Sequence, residues 1–400
     1  MKLTFTHEDC FHYLVADSVD VSRVEKEALA GKKLKIKLGI DPTSPNIHIG
    51  RAIPVWRLRA FQEMGHHIDL VIGDFTAQIG DTSDKDAERP MLTAEQVTKN
   101  LQDYERQLWM ILNPAKKDQV TFSFNSTWLA KLSFAEVGQL ADAFSVNSFI
   151  KRELIERRLK NGQRVSLREM LYPLMQGYDS VALHSDVELG GSDQWFNLLA
   201  GRVLQEKLEQ APQAVITHAL VAGTDGRKMS SSYGNVIQIS QEPFGMFTQM
   251  MQVDDALLVE YLAFYPRSAQ PFTPQTLKER LKAGENPRDL KLIMAERMVA
   301  LYYGDAVAAE ALERWNQEAT AKAEPDVIEE FTLTESVYTL PALLGAVGFA
   351  SSNGEARRLI EQGGVRLNTI VQTDVYAAHP VATLQGMVLQ VGKHRFKRLC

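Results

Sequence analysis

The sequence predicts an α/β chain: a Rossmann-like parallel sheet within residues 1–242, a helical stretch over 243–318, a linker at 319–335 and a small α+β module over 336–400. Three observations carry that prediction. Lys35–Ile40 is a β-prone run that stops at a turn and opens a helix by Arg51, and Ile68–Gly73 (IDLVIG) is the continuous apolar run expected of a strand buried on both faces of a parallel sheet. Strand, helix and strand within about 40 residues make a right-handed βαβ unit. After Phe244 the period becomes helical, with Leu290, Ile293, Met294, Met298, Leu301 and Tyr302 on one face behind Pro287, their methionines read as core.

Residues 7–31 read as helices ahead of the first strand. In Lys35–Ile40 the β-branched alternation of a strand end appears, and Gly39 lets a ligand approach the backbone. Asp41, Pro42, Thr43, Ser44 and Pro45 form an irregular turn before His48-Ile49-Gly50-Arg51 leads into a helix over Arg51–Met64, which tolerates Pro54 near its start and ends at Gly65. A strand feeding a helix N-terminus is an anion site, because the first N–H groups have no intrahelical partner, and His48 and Arg51 add donors there. Taken by itself, the stretch also reads as an ordinary βα connection with a surface histidine. No GxGxxG follows the strand, which disfavours a dinucleotide, yet a ligand still belongs at the carboxyl edge of the strands.

The loop Gly73–Lys85 opens onto the same edge and is dense in Gly, Asp and Thr. Thr93 suits the N-cap of a helix over about 94–112, and Asn125-Ser126-Thr127-Trp128 closes a strand at Gln119–Phe124. Lys151, Arg152, Arg157, Arg158 and Lys160 form a basic helical run, read as a solvated face or as a contact for a nucleic-acid backbone.

Leu171–Asp179 (LYPLMQGYD) places Tyr172, Gln176 and Asp179 at i, i+4 and i+7 on one helical face. Polar groups there need buried partners or a ligand, since an unpaired buried polar group costs about 1–3 kcal/mol. A self-satisfied network is the alternative. Val187–Gln194 is a strand, a double glycine at Gly190-Gly191 and a polar helix start, continuing as helix through Trp195–Gln205, with Asp193 placed to accept from hydroxyls. Ala222–Gly226 is a glycine-flanked loop before Lys228-Met229-Ser230-Ser231-Ser232, a cation followed by hydroxyls that suits a triphosphate.

Glu318–Glu335 is acidic and proline-bearing, the best linker in the chain. Beyond it, Leu340–Gly348 and Asn353–Gln362 suggest helices, and Val365–Asn368, Met387–Val391 and His394–Arg398 suggest strands. From Ser336 onward seven Lys and Arg face three acidic residues, a net of +4 on a chain whose total is −6, which suits a polyanion-binding appendage. The 400 residues are 45% apolar, enough for two or three packed domains. No apolar run reaches the roughly 18 residues of a membrane span and no signal-peptide core precedes Asp20, so a cytoplasmic protein without a membrane partner is expected. Cys10 and Cys400 stand at opposite ends with no metal-ligand spacing, so neither a disulfide framework nor a protein-held metal is expected.

His48-Ile49-Gly50-Arg51 and Lys228-Met229-Ser230-Ser231-Ser232, about 180 residues apart and in that order, resemble the His-Ile-Gly-His and Lys-Met-Ser-Lys-Ser signatures of class I aminoacyl-tRNA synthetases. Together with Gly39–Thr43, Ile79-Gly80-Asp81, Tyr172–Gln176, Tyr178–Leu183 and Gly190–Gln194, they make the chain similar to bacterial tyrosyl-tRNA synthetases over nearly its whole length. Tryptophanyl-tRNA synthetases share that fold. Asn353–Asn368 is similar to the RNA-binding module of ribosomal protein S-four type.

The resemblance implies a catalytic domain at 1–242, an anticodon-binding helical domain at 243–318 and an RNA-binding module at 336–400. It implies a homodimer that activates L-tyrosine with ATP, its magnesium held by phosphates and water, and then charges tRNA(Tyr). Asp179 would meet the tyrosine hydroxyl, Tyr172, Gln176 and Asp81 the α-amino group, and Gln194 the carboxylate. Asp41, Thr43, Gly50, Gly191, Asp193 and Met229 would line the ATP end. His48 and Arg51 would serve the phosphates, Lys228, Ser230 and Ser231 would clamp the pyrophosphate, and Lys85 and Arg89 would lie on a second loop nearby. Three positions depart from the pattern: Arg51 replaces the second signature histidine, Ser231 the second signature lysine, and Lys37 a tyrosine that one branch sets against the substrate hydroxyl. Two other readings remain: an adenylating paralogue that does not charge tRNA, and a silent RNA-binding protein on the same scaffold.

Overall fold

The computed structural model describes residues 2–81, 92–227, 229, 233–321, 328–368, 370–392 and 395–400. Contacts divide the chain into two units, Met1–Ala311 and Leu312–Cys400.

The first unit is built on a six-stranded sheet: β1 (Ser18–Val19), β2 (Lys35–Ile40), β3 (His67–Ile72), β4 (Val120–Phe124), β5 (Val187–Gly191) and β6 (Ala214–His218), in the order β1-β6-β5-β2-β3-β4. Only β1 runs antiparallel. The chain advances from β2 through β3 to β4, then returns to lay β5 on the other side of β2. Neighbouring connections therefore leave in opposite directions at the carboxyl ends of β2 and β5, and the gap between them is the crevice such sheets use for ligands.

Helices α1 (Ile49–Glu63), α2 (Leu167–Leu183) and α3 (Trp195–Lys207) follow β2, precede β5 and follow β5. Ile49, Ala52, Ile53, Val55, Trp56 and Leu58 are buried along α1, the packing that holds it helical despite Pro54. Helices α2 and α3 meet at Gly177, where a Cβ would lie 2.9 Å from the Ala200 carbonyl carbon. After the sheet, Pro243–Met251 packs on Pro287–Tyr303, and Met246, Met250, Met294 and Met298 are all core.

Several local expectations are corrected. The helix expected at 94–112 is two helices, Ala94–Leu101 and Tyr104–Trp109, because Asp103 leaves helical geometry (φ −121°, ψ 3°). Asn125–Trp128 does close the strand, which ends at Phe124, and it does so by turning into a short helix at Ser126–Leu129. Strands β1 and β6 carry no clear signal in the sequence; β6 is a five-residue run, too short for periodicity to distinguish from a buried loop. Nor is the basic run a uniform solvated face. Arg158 is buried and clamps Glu169 at 2.6 Å, and Arg152 stacks over Phe196 at 4.8 Å, whereas Lys160 stays on the surface.

In the second unit the strands Ile370–Val371, Val365–Leu367, Val388–Val391, Arg395–Leu399 and Glu330–Phe331 form one sheet in that order. Glu330–Phe331 lies within the stretch read as linker and joins the edge in parallel. Leu340–Ala346 and Asn353–Glu361 are helices, and Leu340, Leu343, Leu344, Ile360, Val365 and Leu389 close the core.

Candidate active site

Four parallel strands end side by side, and the residues just beyond them face a single cleft of about 540 Å³. Asp41 follows β2, Gly73 and Thr76 follow β3, Asn125 follows β4, and Asp193 and Gln194 follow β5; helix α2 adds Tyr172, Gln176 and Asp179.

At one end Asp179 is buried. The Trp128 indole N–H donates to its Oδ1 at 2.7 Å, and the Asn125 amide donates to Oδ2 at 3.4 Å. The same amide nitrogen reaches Thr76 Oγ1 at 2.9 Å; the Thr76 hydroxyl donates to Asp41 Oδ1 at 2.7 Å, and the Tyr172 phenol donates to Asp41 Oδ2 at 2.9 Å. One chain of hydrogen bonds thus spans the floor from Asp179 to Asp41. It needs a glycine at 73, where a Cβ would sit 1.9 Å from Asp41 Oδ1. Burial pushes the Asp179 carboxyl up to about 7, against the Lys37 ammonium and the Trp128 and Asn125 bonds. Burial, then the Asp41 carboxylate, raises the Tyr172 phenol, which keeps it a donor.

Beside this end, Gln194 Nε2 donates to Asp81 Oδ2 at 2.8 Å, and Asn197 Nδ2 donates to Gln194 Oε1 at 3.0 Å. Gln176 Nε2 donates to Glu188 Oε1 at 3.2 Å.

At the other end His48 caps α1, two residues earlier than expected, with extended backbone (φ −98°, ψ 162°). Its Nδ1 accepts from the Arg51 backbone N–H at 3.4 Å, which puts the imidazole proton on Nε2. Burial and the Arg51 charge lower its pKa to about 3, so it is a neutral donor at pH 7. Arg51 donates to Tyr104 Oη and to Thr43 Oγ1, both at 2.9 Å. The two signature segments meet here. A Cβ on Gly50 would lie 2.8 Å from Met229 Sδ and 3.1 Å from His48 Nδ1, and Ile49 N–H donates to Ile237 O at 2.9 Å. At the end of β5, a Cβ on Gly191 would lie 2.4 Å from Asp193 Oδ1.

The cleft therefore brings together Asp41, Thr43, His48, Gly50, Arg51, Asp81, Tyr172, Gln176, Asp179, Gly191, Asp193, Gln194 and Met229. Lys85, Arg89, Lys228, Ser230 and Ser231 lie outside the described residues. The sequence alone assigns no role to Thr76, Tyr104, Asn125, Trp128 or Asn197. The strand-edge rule marks Thr76 and Asn125, since each follows a strand; nothing in the sequence ties Trp128 to Asp179. Chemically, one end offers acceptors for a cationic amine and a hydroxyl, and the other offers a helix N-terminus with Arg51 and a neutral imidazole for phosphates.

The helix start at the sheet's switch point, His48–Arg51, lies against Met229, which joins the two segments that resemble the class I aminoacyl-tRNA synthetase signatures. The profile described as tRNA synthetases class I (W and Y) matches residues 29–319, and the chain belongs to that family; an S4 domain matches residues 340–376. The chain is 40% identical over 394 residues to a tyrosine–tRNA ligase of Carboxydothermus hydrogenoformans, covering 96% of this chain and 94% of the relative. Against that of Ralstonia nicotianae it is 40% identical over 398 residues, covering 98% of each. Its fold matches the tyrosyl-tRNA synthetase of Archaeoglobus fulgidus, solved with L-tyrosine, at a TM-score of 0.60 and 20% identity, over 76% of this chain and 98% of that one. Within the family the chain groups with the bacterial tyrosyl-tRNA synthetases, and its activity is ATP-dependent tyrosine–tRNA ligation.

Proposed function

We propose that the cleft holds tyrosine at its Asp179 end and ATP at its His48 end, so that the tyrosine carboxylate attacks the α-phosphate in line and pyrophosphate leaves. A carboxylate is already a nucleophile, so no general base is required; the work is positioning and stabilising phosphoryl charge. The observation that carries this reading is the single cleft shared by Asp179, Asp81, Asp193, His48 and Met229.

In this reading Asp179 accepts from the phenol hydroxyl. Tyr172, Gln176 and Asp81 hold the α-amino group, Gln194 lies by the carboxylate, and Asp193 takes the ribose. Asp41, Thr43, Gly50 and Gly191 shape the nucleotide pocket, with His48 Nε2–H and Arg51 on the phosphates. Lys228, Ser230 and Ser231 clamp the pyrophosphate, and Lys85 and Arg89 close over it; these five roles rest on the resemblance. Among the described residues no three His, Cys, Asp or Glu side chains gather as a metal site, and the donors at this end suit a nucleotide whose magnesium is held by its own phosphates and water. That ion supplies charge neutralisation.

We assign anticodon binding to 243–318 and tRNA contact to 336–400, with 319–335 between them and catalysis in 1–242. The enzyme acts as a cytoplasmic homodimer. Phe134, Val146 and Leu167, between β4 and β5, are largely exposed and give a second copy apolar surface to cover. Tyrosine-dependent ATP/pyrophosphate exchange followed by transfer to tRNA(Tyr) tests the reading: Asp179→Ala abolishes exchange, and an unchanged rate removes Asp179 from the site. Exchange without transfer leaves the adenylating paralogue; no exchange leaves the RNA-binder.

A further inference from the structure

Directly beneath the tyrosine end lies a pair of charges that the reaction does not use. Lys37 of β2 and Glu188 of β5 are register partners at the switch point, and both side chains are fully buried. The Lys37 ammonium spends its three protons on Glu188 Oε1 at 2.9 Å, Ser180 Oγ at 2.8 Å and the Gln176 carbonyl at 2.9 Å. Glu188 in turn accepts from Gln176 Nε2 on Oε1, and from the Ser180 hydroxyl at 3.0 Å and Gln213 Nε2 on Oε2. The two α2 residues gripped in this way lie on either side of Asp179 in sequence, one next to it and the other a helical turn earlier.

Stability alone does not account for such a pair. Removing two charges from water costs several kcal/mol each, and a well-packed apolar pair of similar volume commonly does as well or better between strands. The fold also reserves space for it: a Cβ at Gly201 of α3 would fall 2.5 Å from Gln213 Nε2, 2.9 Å from Ser180 Oγ and 3.3 Å from Glu188 Oε2. Directional bonds to a backbone carbonyl, an amide and a hydroxyl set how α2 is rotated against the sheet, which an apolar contact does not do. A small rotation moves Asp179 and Gln176 relative to the ligand, whereas His48 is carried by α1.

We propose that Lys37 and Glu188 are positioning residues for amino-acid selection: they fix the rotation of α2 and so the distance from Asp179 and Gln176 to the substrate, setting the preference for tyrosine over phenylalanine. This rests on the reading of the Asp179 end as the tyrosine pocket. The Lys37 charge, which opposes the upward push of burial on the Asp179 carboxyl, acts in the same sense.

The test is pyrophosphate exchange by the full chain with tyrosine and with phenylalanine, comparing wild type, Asp179→Ala and the uncharged, near-isosteric double variant Lys37→Met with Glu188→Gln. Losing the positioning of one charged hydrogen bond should raise the tyrosine KM of the double variant about tenfold and lower the tyrosine-to-phenylalanine ratio of kcat/KM by a similar factor. The ATP KM should stay within about twofold, a split that mere loss of fold does not produce. If the double variant fails to fold, Glu188→Gln alone reads the same ratios, with a change of at least about threefold expected. Unchanged tyrosine KM and selectivity overturn the proposal. If Asp179→Ala also exchanges normally, the pocket assignment falls; if Asp179→Ala is defective while the double variant is not, only the role of the pair falls.

Discussion

Trp128 holds Asp179 from outside α2, its indole N–H 2.7 Å from Oδ1, while among the described residues Oδ2 has only the longer 3.4 Å contact from Asn125. The carboxylate is therefore oriented by one firm bond and keeps acceptor capacity for a phenol. Trp128→Phe removes the donor and keeps the ring. The expected result is a tyrosine KM raised about tenfold with kcat little changed, measured by pyrophosphate exchange.

Burial raises the Asp179 carboxyl to about 7, and in the proposed reading its ionised form is the stronger acceptor for the substrate hydroxyl. The kcat/KM for tyrosine should rise as pH passes upward through about 7, and Asp179→Asn should flatten that rise. The charged groups acting on it are Lys37, which favours ionisation, and Glu188, which opposes it. Stability carries the opposite sign. The folded value stands above the ordinary 3.8, so between about 4 and 7 the native state keeps a proton that the unfolded chain has lost. The contribution of this group to stability therefore falls as pH rises across that window. Thermal midpoints of wild type and Asp179→Asn, compared at its two ends, read the difference.

His48 is neutral near pH 7, since burial and Arg51 lower its pKa to about 3. In the proposed reading its contribution is an N–H aimed at developing phosphoryl charge. His48→Ala should lower kcat for activation by about 10²–10³ while leaving the tyrosine KM near wild type. No pH step between 5 and 8 should disappear with it.

Gly50 has no room for a methyl group between Met229 Sδ and the His48 ring. Gly50→Ala should push the methionine loop away, reduce kcat and raise the ATP KM, and shift the thermal midpoint by only a few degrees, because the group displaced first is the end of a flexible side chain.

Much of this was legible from local chemistry. The β2 turn, the Tyr172–Gln176–Asp179 face and the double glycine at 190 each announce themselves within a few residues, because backbone geometry and helical periodicity act over that range. What escaped depends on distant pairing. Lys37 reads only as a departure from a tyrosine of the family pattern until Glu188, 151 positions later, arrives opposite it. Trp128 reads only as the end of a segment that closes a strand until α2 brings Asp179 to its indole. β6 lacked a signal of its own: its five residues are buried on both faces, and such a run shows neither alternation nor helical spacing. The helix expected through 112 broke at Asp103, whose carboxylate turns to its own Arg106, a local competition that apolar spacing does not register.

The return of β5 to the flank of β2 has a consequence for synthesis on the ribosome. Until Val187 has emerged, β2 carries β3 on one side and bare amide and carbonyl groups on the other, with Lys37 lacking its counter-charge. Such an edge invites pairing with another nascent chain, and the lysine poised on it is the kind of charge that discourages that outcome.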